Sequence, residues 1–148
     1  MKIKVACIQM EAHDLGDAPG AVGRALRLID EAARKGAQLI ILPECTYPAY
    51  FLSRLPHDYH HEKGLGRFQR AARELGVYIC IGMAEATEGG LFNSAFLIDP
   101  KGRIIASCGI STTSGSGSGI PSMSGRPSWA ESGLWSAPMG GCPRWLGP

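Results

Sequence analysis

The stretch from Gly36 to Tyr50, GAQLIILPECTYPAY, constrains the fold more than any other part of the chain. A helix-ending glycine leads directly into Ala37-Gln38-Leu39-Ile40-Ile41-Leu42, an apolar run of strand length. Near-continuous runs of this kind belong to strands buried on both faces, as in layered α/β proteins. The run stops at Pro43 and leaves a carboxylate, Glu44, at its C-terminal end. In such folds reactive groups collect at strand ends, where loops close around a ligand. Glu44 is therefore the first candidate functional residue.

The remaining pattern supplies the layers around that strand. Lys2 to Gln9 alternates Ile3, Val5 and Cys7 against Lys2, Lys4 and Ala6, which predicts a strand with one strongly apolar face. Asp17 is a candidate N-cap, Pro19 suits the first turn, and a helix is expected to about Lys35, closed by Gly36. Its buried stripe is Val22, Ala25, Leu26, Ile29, Ala32 and Ala33; Arg24, Arg27, Asp30, Glu31 and Arg34 face water. Cys45 to Lys63 has no sustained period and is expected to be a long loop. A second amphipathic helix follows over Leu65–Leu75, then strands over 77–83, 92–98 and 103–106. Asp99-Pro100-Lys101-Gly102 is a tight-turn signal between the last two. The order β-α-β-loop-α-β-β-β predicts an α/β domain with an antiparallel extension.

Composition removes several function classes. A net charge of +2 without Lys/Arg clusters or interleaved aromatics gives no footprint for nucleic acid. No apolar run approaches the roughly 20 residues of a membrane span, and MKIKVACIQM lacks the h-region of a signal peptide, so a cytoplasmic location is expected. The five cysteines are scattered and none forms a CxxC pair, which argues against a disulfide framework or a zinc site. Cys7 and Cys80 fall inside apolar strand patterns and are expected to be small buried hydrophobes. His57, His60 and His61, with Asp58 and Glu62, offer only the single helical pairing His57–His61 and read as a solvated polar loop rather than a metal site. Tyr47, Tyr50 and Tyr59 are candidate pocket-lining or packing aromatics. No cofactor is implied.

At about Ser107 the character changes. Ile110 to Pro148 is Ser, Gly and Pro for more than half its length, yet it carries Trp129, Trp135 and Trp145. Such a composition does not build a packed element. The expected organisation is a domain over 1–107 and an irregular low-complexity tail over 108–148, disordered or out of frame.

VACIQM at Val5–Met10, the Ala-rich helix ending in KGAQLIILPE, the strand ending in VYICIGMAE and LFNSAFLIDPKGRII together resemble the nitrilase-like carbon–nitrogen hydrolases. The likeness covers roughly residues 2 to 106 in the family's order. It implies a four-layer α-β-β-α sandwich of which only the N-terminal part is present, and a Cys–Glu–Lys triad acting on an amide, carbamoyl compound or nitrile. In that scheme Cys forms a covalent thioester, Glu is the general base and Lys stabilises developing charge. A thiol, mostly protonated at neutral pH, needs such a base within reach, and the tetrahedral intermediate needs a donor or cation beside its oxyanion. By motif the Glu is Glu44. The resemblance also implies a small-molecule substrate and, as is common in the family, a homo-oligomer; composition gives no sign of a nucleic-acid or membrane partner.

The departures from the family bear on activity. No Lys follows Lys101, which occupies the hairpin turn, and Ser107-Cys108-Gly109-Ile110 stands where the family's basic segment belongs. Cys142 has no apolar strand before it, and Cys45, next to Glu44 in an extended segment, is expected to point away from it. Neither cysteine nor any lysine matches the family's position, so the chain is expected to be truncated and inactive. The alternative is a non-enzymatic half-sandwich module that assembles with a partner. About half of a sandwich core leaves an apolar sheet face and strand edges that favour association and poor solubility.

The tail has a second reading. When the third base of each codon is joined to the first two of the next, Ser128–Gly147 is compatible with LGRVGAVVCADGRMPEVAR, an apolar strand followed by a Cys and an elbow. Gly109–Gly115 is likewise compatible with HLDDFW. A change of reading frame near Ser107 accounts for both. Sequencing the coding DNA is expected to show codons that spell the shifted strand; codons that cannot spell it end the hypothesis.

Overall fold

A computed structural model describes residues 2–49, 55, 59–88 and 90–111. Expectations for Tyr50, His57, Asp58, Cys142 and the three tryptophans fall outside the described residues. The elements are β1 (Val5–Cys7), a 3-10 turn (Leu15–Asp17), α1 (Ala18–Arg34), β2 (Leu39–Ile41), α2 (Glu62–Leu75), β3 (Tyr78–Thr87), β4 (Gly90–Ile98) and β5 (Ile104–Ser111). They build one mixed sheet in the order β1-β2-β3-β4-β5. β1, β2 and β3 are parallel, and β3, β4 and β5 pair antiparallel. This is the expected α/β order: two β-α-β crossovers followed by two hairpins.

The helix termini follow local chemistry. Asp14 caps the 3-10 turn, accepting from Gly16 N and Asp17 N, and Pro19 stands in the first turn of α1. Asp17 precedes α1 as expected but makes no side-chain cap, because its carboxylate is engaged by Arg24 at 2.5 Å. Gly36 and Gly76 close the two helices with φ of 84° and 65°, a region that suits glycine. α2 begins at Glu62, three residues before the expected Leu65.

Both helices lie on one face of the sheet and share a single core of Val22, Ile29, Ile40, Phe68, Ile79 and Ile81 with their neighbours. Strand alternation assigns the faces. The row Ala6–Ile40–Ile79–Ile98 points to the helices. The rows Val5–Leu39–Tyr78 and Cys7–Ile41–Cys80–Leu97–Ala106 therefore point the other way. On that side Val5 remains 45% and Tyr78 42% exposed. The alternation expected for the first strand is thus present, but its Ile3, Val5 and Cys7 side lies away from the helices. The expectation of a buried Cys7 is accordingly wrong: it is exposed, and Cys80, on the same side, is only partly covered.

The compositional boundary at Ser107 falls inside β5. Pairing with β4 runs from Ile98↔Ile104 through Phe92↔Ser111, with an irregularity at Leu97/Ile98. Cross-strand pairing overrides local composition here, and a small residue is required: a Cβ at Gly109 would lie 2.3 Å from Ser94 Oγ. The β4–β5 turn is tied together by Asp99, which is buried and accepts from Lys101 N, Arg103 N and Arg103 Nε. Gly102, with φ of 76°, sits against Gln69 O of α2 and accepts from Gln69 Nε2 at 2.9 Å.

Two outcomes follow from this core. Phe68 is fully buried at the helix–sheet interface, so Phe68→Ala is expected to cost about 3–5 kcal/mol in urea unfolding. Burial raises the Asp99 carboxyl, but hydrogen bonds from Arg103 and Lys101 outweigh it and hold it below the ordinary carboxylate range. A folded-state pKa below the unfolded one contributes stability at neutral pH that is lost as pH falls below about 4. Acid unfolding of Asp99→Asn is expected to lack that part of the pH dependence.

Candidate active site

Beyond β2 the chain pairs with β3 in two steps, and Glu44 stands in the gap between them. Leu42 N donates to Cys80 O at 2.8 Å, which extends the β2–β3 pairing by a residue. The backbone then leaves β3 at Pro43–Cys45 and returns when Thr46 N donates to Gly82 O at 2.8 Å and Ala84 N to Tyr47 O at 2.9 Å. A single parallel bridge, Tyr47↔Met83, marks the return. Cys45 takes a φ of 51°, unusual for a residue with a Cβ, and Thr46 Oγ1 donates to Pro43 O at 2.7 Å. The excursion is possible because β3 has no side chain beneath it. A Cβ at Gly82 would meet Glu44 Cα at 2.7 Å and Pro43 O at 2.8 Å.

The excursion presents Glu44 at the rim of a cavity of about 160 Å³ lined by Met10–His13 after β1 and by Pro43–Thr46. Glu44 is exposed. Its Oε1 accepts a hydrogen bond from Asn93 Nδ2, presented by β4. Asn93 pairs with Ala84 across the strands and points to the same side of the sheet as Ala95 and Leu97.

Cys45 does not point away from Glu44 as expected. Its thiol sits 3.6 Å from Asn93 Oδ1, so one amide touches both groups. The left-handed backbone at Cys45 breaks the alternation on which the expectation rested. Burial, with Glu44 adding its charge, pushes the Cys45 thiol up to about 11. At neutral pH that leaves roughly one thiolate in ten thousand, which suits a packed cysteine and not a nucleophile.

Other candidate residues have structural roles. Lys101 lies in the β4–β5 turn, six residues along β4 and its turn from Asn93 to Asp99 and then beyond, about 20 Å from the Glu44 end of the sheet. Ser107 and Gly109 lie in β5, paired with Phe96 and Ser94 of β4. The Tyr47 and Tyr59 rings pack at 6.2 Å, Gly64 lies against the Tyr47 ring, and Tyr59 OH donates to Ala84 O at 3.0 Å. Burial raises the Tyr59 phenol well above its ordinary range, with Tyr47 and Glu62 contributing. The expected solvated histidine loop holds for His60, whereas His61 stacks on Phe96 and its Nδ1 accepts from Ala86 N at 3.3 Å. No group of three metal-ligating side chains occurs among the described residues. Asn93 and Gly82 were not singled out by residue type; both lie inside strand patterns, where only the register gives them a role.

Comparison with known proteins gives this arrangement a context. Residues 4–112 match the family described as carbon-nitrogen hydrolase. The Omega-amidase NIT2 of Xenopus tropicalis is 36% identical over 89 residues, covering 57% of this chain and 32% of that protein. A nitrilase of Pyrococcus abyssi is 32% identical over 108 residues, covering 69% of this chain and 41% of that protein. Among solved structures, an amidase from Nesterenkonia sp. superposes with a TM-score of 0.66 at 23% identity over 76% of this chain and 44% of that one. A carbon-nitrogen hydrolase from Helicobacter pylori G27 gives 0.60 at 18% identity, over 72% and 39%. These two establish likeness of fold. The chain spans between a third and a little over two-fifths of the length of these relatives. Among the described residues no helix is long and apolar enough to cross a membrane.

Two measurements probe the geometry. Gly82→Ala places a methyl group against backbone that cannot swing aside, and is expected to cost about 1–3 kcal/mol in denaturant unfolding and to shift the Asn93 side-chain amide resonances. Iodoacetamide at pH 7.5, followed by mass spectrometry, is expected to modify Cys45 about a hundredfold more slowly than exposed Cys7, with the gap closing as pH approaches 11.

Proposed function

The chain belongs to the carbon–nitrogen hydrolase family, and from that premise we propose that Glu44 is its catalytic base, standing without the two other members of the triad. The observation that carries this reading is the placement of Glu44. Its carboxylate ends the second parallel strand, rims a cavity and is oriented by Asn93, in a backbone excursion that Gly82 alone makes room for.

The chemistry assigned to this position is proton transfer. A carboxylate there accepts the proton of an incoming thiol, the sulfur bonds to the carbon of an amide, carbamoyl compound or nitrile, and water later releases the acyl group. For an amide or a carbamoyl compound the nitrogen departs as ammonia once the proton has been passed to it; for a nitrile the proton goes to the nitrogen of a thioimidate, one water then displaces ammonia and a second releases the acid. In these 148 residues no lysine follows Lys101, and neither Cys45 nor Cys142 stands in the family's nucleophile position. The altered frame inferred for the tail explains how both would be lost together. The polypeptide as it stands is therefore read as truncated and inactive.

A non-enzymatic module that acts by assembly is the second reading, and the open apolar face of the sheet favours it. Saturable association with an intact homologue would support it.

Ammonia release from simple amides, carbamoyl compounds and nitriles separates the first reading from an active enzyme. No turnover above background is expected from the purified chain. Measurable turnover that disappears in Glu44→Gln would confirm the base and refute inactivity.

A further inference from the structure

The side-chain amide of Asn93 meets a different partner at each end. Its Nδ2 donates to Glu44 Oε1, and its Oδ1 lies 3.6 Å from Cys45 Sγ. An ionised carboxylate only accepts, whereas a thiol has a proton to donate. The two ends of an amide are nearly equal in shape, so its partners decide which way it faces. Here both partners demand the same orientation. We propose that Cys45 is a positioning residue: its thiol donates to Asn93 Oδ1, locks the amide in one orientation and so keeps Nδ2 aimed at the Glu44 carboxylate.

Burial makes Cys45 the anchor of this relay. Cys45 is 5% exposed, while Glu44 is open to solvent. The carboxylate favours the correct amide orientation only while it stays within reach, and an exposed side chain can turn toward water. The buried thiol has no such alternative. A reversed amide would set its oxygen against the Glu44 carboxylate and its two N–H donors against the thiol, which is a poor acceptor. Burial also raises the Cys45 thiol to about 11, so the proton that makes it a donor stays on sulfur throughout the neutral range.

The backbone supports the assignment. A φ of 51° is a conformation that glycine adopts without strain and that a Cβ makes costly. At Cys45 that same conformation brings the sulfur to Asn93 of β4, and the contact offsets part of the cost. The arch is held by other bonds: Thr46 Oγ1 donates to Pro43 O, Thr46 N donates to Gly82 O, and Gly82 leaves room beneath. Removing the thiol therefore takes away the relay and leaves the arch in place.

The value of this relay to catalysis rests on Glu44 as the base, whereas its existence does not. Orientation, not turnover, is accordingly what is measured. NMR of the full 148-residue chain follows exchange of the Asn93 Nδ2 protons with water and the three-bond couplings that report the Glu44 χ1 rotamer. The wild type is expected to show one set of Asn93 amide signals and one Glu44 rotamer. In Cys45→Ala, which keeps the Cβ and removes the donor, Nδ2 exchange is expected to rise about threefold, as for a lost hydrogen bond of ordinary strength, and the Glu44 couplings to average. Cys45→Ser returns a shorter but stronger donor and is expected to recover at least half of both changes. Cys7→Ala, which removes an exposed thiol elsewhere, is expected to move neither signal. Should Cys45→Ala lose its far-UV circular dichroism, Cys45→Gly, which suits the left-handed backbone, decides in its place. Averaged signals in the wild type overturn the proposal before any variant is made. Unchanged signals in the variant that removes the donor, equal changes in Cys7→Ala, or no recovery in Cys45→Ser overturn it as well. Failure of the base assignment looks different: turnover that survives Glu44→Gln, with the wild-type Asn93 and Glu44 signals as expected.

Discussion

The close passage of Pro43–Glu44–Cys45 over Gly82 is the contact on which the site depends. The strand pairing before it, Leu42 to Cys80, and after it, Thr46 to Gly82, fixes both ends of the excursion to the same neighbour. With its ends fixed and a glycine beneath it, the three-residue arch has little room to move. Glu44 is thus held by the sheet, and its carboxylate meets Asn93 on β4. A carboxylate placed this way needs no rearrangement to keep its position.

The elements were legible where one local rule dominated. The buried parallel strand Leu39–Ile41, the stripe of α1 and the glycine stops at Gly36 and Gly76 come from periodicity and backbone chemistry, and pairing leaves them unchanged. Reading failed where a partner outside the local window decided the outcome. Ser107 and Gly109 have no strand propensity of their own, yet β4 and the small space beside Ser94 place them in β5. Alternation in the first strand identifies an apolar side but cannot say which side meets the helices. That is why Cys7 was assigned to the interior and lies outside it.

The site divides along the same line. Glu44 is marked in the sequence because a strand run, a proline and an acid stand in a row. Asn93 is marked only within a family motif, and its contact with Glu44 is set by a β3–β4 register that no local pattern specifies. Cys45 shows how one backbone dihedral can reverse an inference. In an extended segment it would oppose Glu44; at a φ of 51° its sulfur shares the Asn93 amide with that residue. Nearness to a carboxylate does not make it a nucleophile, because burial pushes its thiol up to about 11.

The exposure of Glu44 and the exposure of the sheet face have one origin. Gly82, which supports the arch, belongs to the same side of the sheet as Cys80, Leu97 and Ala95. Whatever lies on that side therefore also approaches the arch. A covering layer would withdraw water from the carboxylate, and a charged group losing water is stable only if hydrogen bonds replace it. Asn93 supplies one such bond from within this chain, and the remaining lone pairs of Glu44 have to be met from the covering layer. A nucleophile and a cation delivered by that layer would meet them and complete a catalytic site. An apolar layer would leave those lone pairs unmet, at a cost that opposes covering the arch. The identity of the covering thus fixes both the assembly of the protein and the chemistry open to its carboxylate.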